Sequence, residues 1–319
     1  MAKTLADLGE RRIIEDIRKI YKQTWPDEDC FYFKSGNRYT LLTTDIISKK
    51  THIPDNASPE AAGRYIASSN LSDIAAMGGI PKYFMTAFAM PREMPEAYLK
   101  RMSRGISDCL KEHGTIMAGG DMKEGTMVAA GFAMGEVEMN RIMLRKGAKI
   151  GDAVCVTGEL GKNAAAYEML KHDKQRKWAD LVLDIQPKIK EGRMISQNNA
   201  SSCMDLSDGI YSTIRQMQRI NGTGFGIDLE SVPLHPLVEK VAEKYGKSIE
   251  DLAFGFGGEY ELFFTVKQEK YESLKLKMER KNMRITRIGR VVSGNSYLLR
   301  QNEKIRITKT GYEHFRRIL

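Results

Sequence analysis

The chain reads as an α/β protein built from two units. Apolar runs of strand length alternate with longer runs of helical spacing, and 319 residues exceed what one ordinary core needs. The stretch "RKGAKIGD" at residues 145–152 also breaks the apolar pattern with charge and glycine. The expected units are therefore residues 1–148 and 149–319.

An opening helix is expected over residues 8–21, where Leu8, Ile13, Ile14, Ile17 and Ile20 form an apolar stripe. A strand follows over 39–44 and ends at Asp45. Ser58 and Pro59 start a second helix: serine accepts from free helix N–H groups, and proline has no N–H to leave unpaired there. That helix runs toward Ala76 and stops at Gly78-Gly79 with Pro81. Residues 83–90 read as a strand, 95–112 as a helix, 115–118 as a short strand entering Gly119-Gly120-Asp121, and 127–134 as another strand. Beyond the break, strands are expected over 153–157, 260–266 and 283–291, with helices over 163–171, 209–219, 235–245 and 268–281.

The composition, 42% hydrophobic and 29% charged, is that of a soluble globular protein. Charges interrupt every apolar run of "MAKTLADLGERRIIEDI", so no targeting peptide is expected. No run reaches the roughly 18 to 20 apolar residues of a membrane span, and a cytoplasmic protein is expected. The net charge of +9 is concentrated: residues 271–319 carry thirteen Lys and Arg against four Glu, which leaves the rest balanced. A nucleic-acid partner is not expected from that distribution. Cys30, Cys109, Cys155 and Cys203 have neither zinc spacing nor a disulfide framework and read as reduced, packed thiols.

Six carboxylates recur beside apolar segments near turns or element ends: Asp29, Asp45, Asp73, Asp121, Asp205 and Asp208. Taken singly, such an aspartate caps a helix or ends a strand. Brought together with nothing between them, they would repel one another and destabilise the fold, an objection that divalent cations remove. Magnesium suits hard oxygen ligands shared with substrate phosphates, and the hydroxyls of Thr43, Thr44 and Ser207 could complete its shells. Calcium takes the same ligand type, but the chain has no EF-hand loop.

Gly119-Gly120 reads either as a tight turn or as a place where backbone approaches a nucleotide. "GFGGEYE", residues 255–261, sets glycines against Glu259 and Glu261 without forming a Walker loop or dinucleotide fingerprint. Arg145 is a surface residue or a phosphate contact, and His52 an exposed histidine or a substrate contact. No nucleophile elbow or histidine-rich metal motif is present. The chemistry best supported is metal-assisted phosphoryl transfer without a covalent nucleophile.

In chain order, "DEDC", "TTDIISKKTHI", "NLSDIAAMGGIP", "AGGD", "RKGAKIGD", "TGELG", "MDLSDG", "GFGGEYEL" and "GYEHF" span nearly the whole sequence. With these motifs the chain resembles the thiamine-monophosphate kinase family, of the aminoimidazole ribonucleotide synthetase-like superfamily. The resemblance implies ATP-dependent phosphorylation of thiamine monophosphate to thiamine diphosphate by in-line transfer with several magnesium ions. It implies metal binding by Asp29, Thr43, Thr44, Asp45, Asp73, Asp121, Asp205 and Asp208, with Asp45, Asp121 and Asp208 supporting transfer. Gly120, Asp121, Arg145 and Ser207 would meet the nucleotide, and His52, Glu259, Glu261 and Tyr312 the thiamine monophosphate. It further implies a homodimer in which the N-terminal sheets of two two-domain α/β chains pair into a barrel.

Three departures stand out. Glu28-Asp29 occupies the place of two aspartates, "GGEYEL" is one residue shorter than the family's "GGEDYEL", and Lys49-Lys50 replaces an acidic residue and glycine.

Overall fold

The computed structural model describes residues 4–22 and 27–315. The chain opens with α1 (Leu5–Leu8) and α2 (Glu10–Tyr21), followed by β1 (Phe31–Ser35), β2 (Arg38–Ser48) and α3 (Pro59–Ala76). Next come β3 (Ile80–Met90), α4 (Glu96–Glu112), β4 (Ile116–Glu124) and β5 (Val128–Glu138). The five strands form one sheet in the order β1-β2-β5-β3-β4. Only β3 and β4 run parallel, joined by the crossover helix α4.

One face of this sheet is covered by α3 and α4. Ser58 accepts from the Ala61 N–H at 3.2 Å and Pro59 sits in the first turn, so α3 starts as its sequence requires. Ile66, Leu71 and Ile74 of α3 are fully buried, each stabilising the fold by about 1.5–3 kcal/mol. Gly63 and Gly105 let α3 and α4 touch: a Cβ on Gly63 would collide with the Met102 carbonyl, and one on Gly105 with the Glu60 carbonyl. The opposite face is open, and Leu42, Ile46, Tyr83, Met85 and Phe132 are exposed on it.

The expected pairing of the N-terminal sheet into a barrel is not found. The strand order ends on β1 and β4, each with a single neighbour, so the sheet stays open, and among the described residues no sheet closes on itself.

The second half comprises β6 (Ala153–Thr157), α5 (Lys162–His172), α6 (Arg176–Leu183), α7 (Ile189–Gln197), β7 (Ser202–Asp205) and α8 (Gly209–Asn221). It continues through β8 (Gly224–Asp228), α9 (Pro236–Tyr245), β9 (Leu262–Val266), α10 (Gln268–Glu279), β10 (Ile285–Val292), β11 (Tyr297–Arg300) and β12 (Glu303–Arg306). Its seven strands are ordered β12-β11-β8-β10-β6-β9-β7, with β8 and β11 the parallel pair. Both faces of this sheet are covered, which explains the unbroken apolar run of β6. Val154 and Val156 face Ile210 and Ile214 of α8, whereas Ala153 and Cys155 face Leu274 and Met278 of α10. All four cysteines are buried and unpaired. No helix among the described residues is long and apolar enough to cross a membrane.

Two local expectations change. The 39–44 strand extends to Ser48, which puts Asp45 inside β2 rather than at its end. Gly119-Gly120-Asp121 likewise lies within β4 instead of forming a turn after it, because the strand continues along β3 past an irregularity between Phe84 and Met85.

Candidate active site

The two halves meet where α3 crosses the end of the edge strand β7. Ser72 Oγ, on α3, donates to Asp205 Oδ2 at 2.7 Å, and Asp205 is 1% exposed. One turn from the end of the same helix, Asp73 accepts from the Thr43 hydroxyl of β2. Asp29, just before β1, completes the group. Asp29, Asp73 and Asp205 each bring a carboxylate oxygen within 4.8 Å of the others.

Such a cluster is electrostatically expensive. Burial, reinforced by the Asp29 charge, pushes the Asp205 carboxyl up to about 7. Burial and then Asp45, Asp205 and Asp29 push Asp73 well above the usual carboxylate range. Asp45 rises to about 6, mainly through burial, against a hydrogen bond from Ser69. Its backbone N–H donates to Asn70 Oδ1 at 3.1 Å, and Gly131, opposite it on β5, leaves room for that Asn70 side chain.

Partial compensation comes from Arg145. Its Nη2 donates to Asp29 Oδ1 at 2.6 Å, and the Asp29 charge keeps the guanidinium protonated despite its burial. The Arg145 N–H donates to Glu28 Oε2 at 2.6 Å, while burial raises Glu28 to about 7. Asp29 Oδ2 is buried and has no hydrogen-bond partner among the described residues. A hard divalent cation fits such a site: three carboxylates lie close together, and one of their buried oxygens lacks a donor.

The loop from β7 into α8 adds Ser207 and Asp208. Asp208 stands at the helix N-cap, yet its side chain makes no capping bond. Its carboxylate instead accepts from Ser212 Oγ at 3.4 Å and lies 3.9 Å from Arg11 Nη2 of α2. Glycines seat this loop. Gly209 has φ +79°, and a Cβ on Gly257 would strike the Ser207 carbonyl, which accepts from the Gly258 N–H at 2.6 Å.

A third wall carries rings. His52 and His314 lie 5.2 Å apart between centroids, and Tyr312 meets His314 edge-on at 5.0 Å. Burial, with His314 beside it, holds His52 down to about 4, so it is neutral at physiological pH. Burial and then the charges of Asp208 and Glu10 raise the Tyr312 hydroxyl. Glu10 and His314 are joined by backbone hydrogen bonding at 3.2 Å, which ties α2 to the C-terminal segment.

Several expected residues do not join this arrangement within one chain. Thr44 is exposed on the opposite face of β2 from Thr43 and Asp45, as strand alternation dictates. Asp121 pairs in register with Ala87, which pairs with Ala130 and through it with Ile46. It therefore stands on the open apolar face, about 14 Å across three strand spacings from Ile46. Gly120 lies beside it against the Thr86 carbonyl.

Glu259 accepts from the Gly161 and Asn163 N–H groups at 3.0 and 3.2 Å, at the start of α5. Glu261 accepts from Thr157 Oγ1 at 2.5 Å and pairs with Lys188 at 2.9 Å. Both are engaged inside the second half. Tyr260, between them, points toward the first half and meets the Tyr65 hydroxyl at 3.3 Å.

Sequence reasoning passed over Ser69, Asn70, Ser72, Arg11 and His314. A signal existed for the first three, since "SSNLS" puts polar residues into an otherwise apolar helix and all are buried. Arg11 had none, being one charge among many on an amphipathic helix.

The chain matches the family model of the AIR synthase related protein N-terminal domain over residues 27–137. It matches the corresponding C-terminal domain over residues 149–300. It is 31% identical over 314 residues to the thiamine-monophosphate kinase of Pyrococcus abyssi, covering 97% of each chain. Among solved structures it is similar to AaThiL complexed with AMPPCP and TMP. That match has a TM-score of 0.87 at 27% identity over 98% of this chain and 99% of the other. Escherichia coli HypE, a hydrogenase maturation protein, shares the fold with a TM-score of 0.73 at 19% identity, covering 93% of this chain and 96% of its own. With both family models matched in order and full-length identity to such a relative, the chain belongs to the thiamine-monophosphate kinase family of AIR synthase related proteins.

Proposed function

We propose that this chain transfers the terminal phosphoryl group of ATP to thiamine monophosphate, giving thiamine diphosphate and ADP. The observation that carries the reading is the Asp29, Asp73 and Asp205 cluster, in a chain of this family similar to a structure complexed with AMPPCP and TMP. A phosphate oxygen of thiamine monophosphate attacks the γ-phosphorus in line as the bond to the β–γ bridging oxygen breaks, and that electron pair leaves on ADP. Magnesium, when bound, neutralises phosphate charge and orients the two oxygens.

The chain's own groups do the rest. Asp29, Asp73 and Asp205 would hold magnesium, joined by Asp45, Asp208 and the Thr43 hydroxyl. Arg145, anchored on Asp29, offers its remaining N–H groups to nucleotide phosphate, and Ser207 its hydroxyl. Neutral His52 and the face of Tyr312 border the thiamine ring system. In this reading Glu259 and Glu261 shape the substrate side by fixing the loop that carries Tyr260.

The reading includes a homodimer. The open face of the first sheet, with Phe132, Ile46 and Met85 exposed, is a contiguous apolar surface of the kind that a second copy covers. Gly120, Asp121 and Thr44 would then act on nucleotide or metal across that interface rather than in their own chain. The domains divide at residue 148, in keeping with family matches that end at 137 and resume at 149. The protein would work in the cytoplasm, where ATP is supplied.

A product assay with ATP and thiamine monophosphate, with and without magnesium, tests the reading. Thiamine diphosphate should form only with the metal. Its absence from folded, magnesium-loaded protein would sink the proposal.

A further inference from the structure

A cavity of about 430 Å³ lies toward the C-terminal end of α8, between that helix, residues 295–296 and the segment leaving β12. Its charged lining residues are Arg215, Arg219, Arg306 and Lys309, and no carboxylate lines it. Arg219 pairs with Asp27 at 2.9 Å, and Lys309 pairs with Asp251 and Glu250. Arg215 and Arg306 are exposed, and their guanidinium groups make neither ion pair nor hydrogen bond among the described residues. Asn295 and Thr308 add uncharged donors to the same wall.

The neighbouring cleft sharpens the contrast. It has Arg215 and Arg219 in common with this cavity, but there Arg11, Arg12, Arg18 and Arg145 are balanced by Glu15, Asp27, Glu28 and Glu313. The cavity is also displaced along α8 from Asp208, and no carboxylate of the cluster lines it. Arg215 and Arg219 follow Asp208 by seven and eleven positions on α8, which at the helical rise is about 10 and 16 Å along its axis.

We propose that this cavity is a second ligand site, binding a compact phosphorylated anion of diphosphate size or larger. Two unpartnered guanidinium groups provide planar forks of N–H donors that match phosphate oxygens, and the volume is within the usual range for small-ligand sites. The site gathers part of the positive charge that the last 49 residues carry in excess, so the C-terminal basicity has a local purpose beyond solubility.

Calorimetric titration of the full chain with inorganic diphosphate and, separately, ADP tests the site. EDTA is present throughout, because without metal the carboxylate cluster repels anions. One anion per chain should bind, with affinity reduced at least tenfold in Arg306→Ala and in Arg215→Gln but unchanged in Arg11→Ala. Tighter binding of ADP than of diphosphate would identify an organic phosphate as the ligand, and equal binding the diphosphate itself; each supports the site. Three results overturn it: no saturable heat, binding lost in Arg11→Ala but kept in Arg306→Ala, or tighter binding of a single-stranded oligonucleotide that Arg306→Ala abolishes. Circular dichroism melts confirm that the variants fold, and because both arginines are exposed their melting should match the parent.

Discussion

Asp205 and Asp121 each follow a short apolar stretch, yet the two regions that hold them treat charge in opposite ways. Asp205 is sealed between β7 and α3 among other carboxylates, and its carboxyl is driven up to about 7 by burial first and by Asp29 second. Asp121 is exposed at a sheet edge, where the Met122 N–H and then Lys123 lower its carboxyl. A buried carboxylate cluster needs a cation to be stable as anions, whereas an exposed, paired aspartate is stable alone. The comparison separates a site built within one chain from a residue that lacks its neighbours there.

The largest effect tests the buried side. Asp205→Asn should lower kcat by about 10²–10³-fold, the usual scale for removing one electrostatic contributor to a transition state. The metal-free melting temperature should hold or rise, since one repulsive charge is gone. Activity near the parent level would break the comparison.

A pH series reads the same repulsion as stability. Asp205 and Asp45 have folded values of about 7 and 6, raised above the ordinary 3.8 of an aspartate. The stability tied to their protonated forms is therefore complete below about pH 4 and is lost as pH rises through 6 to 7. Raising a carboxyl's pKa by one corresponds to about 1.4 kcal/mol, so the metal-free protein should melt lower at about pH 8 than at about pH 6 from this cause. Magnesium should raise the melting temperature more at the higher pH. An equal rise at both would place the metal elsewhere.

Mixing two inactive variants tests the exposed side. If Asp121 serves a second copy, Asp121→Asn combined with Asp205→Asn yields mixed dimers with one intact site, and roughly a quarter of parental activity should return. No recovery after verified subunit exchange would put Asp121 in its own chain's site or in none.

The smallest effect is on folding alone. Asp121→Asn should change monomer stability by no more than about 0.5 kcal/mol, as exposed substitutions usually do. Ser72→Ala, which removes the hydrogen bond to buried Asp205, should cost about 1–3 kcal/mol in urea unfolding. Similar values for the two would erase the distinction between the regions.

Much of the fold was legible because its signals are local. Ser58-Pro59 starts α3 where expected, the apolar run of β6 is a strand buried on both faces, and the glycine and charge break falls between the two sheets. Short strands escaped notice: β7 has four residues, too few for a period to register, although it carries Asp205. The helix expected over 8–21 is broken at Gly9, which leaves Leu8 in α1, and none of the residues of α2 is buried, because that helix lines the cleft rather than a core. The carboxylates themselves were legible as a recurring type, and their sorting was not.

The sequence by itself determined the two-unit α/β organisation, the acidic chemistry and the family, since periodicity, capping residues and ordered motifs are properties of neighbouring positions. Only the tertiary structure decided which carboxylates meet. Strand alternation turns Thr44 away from Thr43, the register of β4 carries Asp121 to the open face, and the crossing of α3 over β7 brings Asp29, Asp73 and Asp205 within 4.8 Å. Proximity between residues 44 to 176 positions apart is set by how elements pack, which spacing along the chain does not encode.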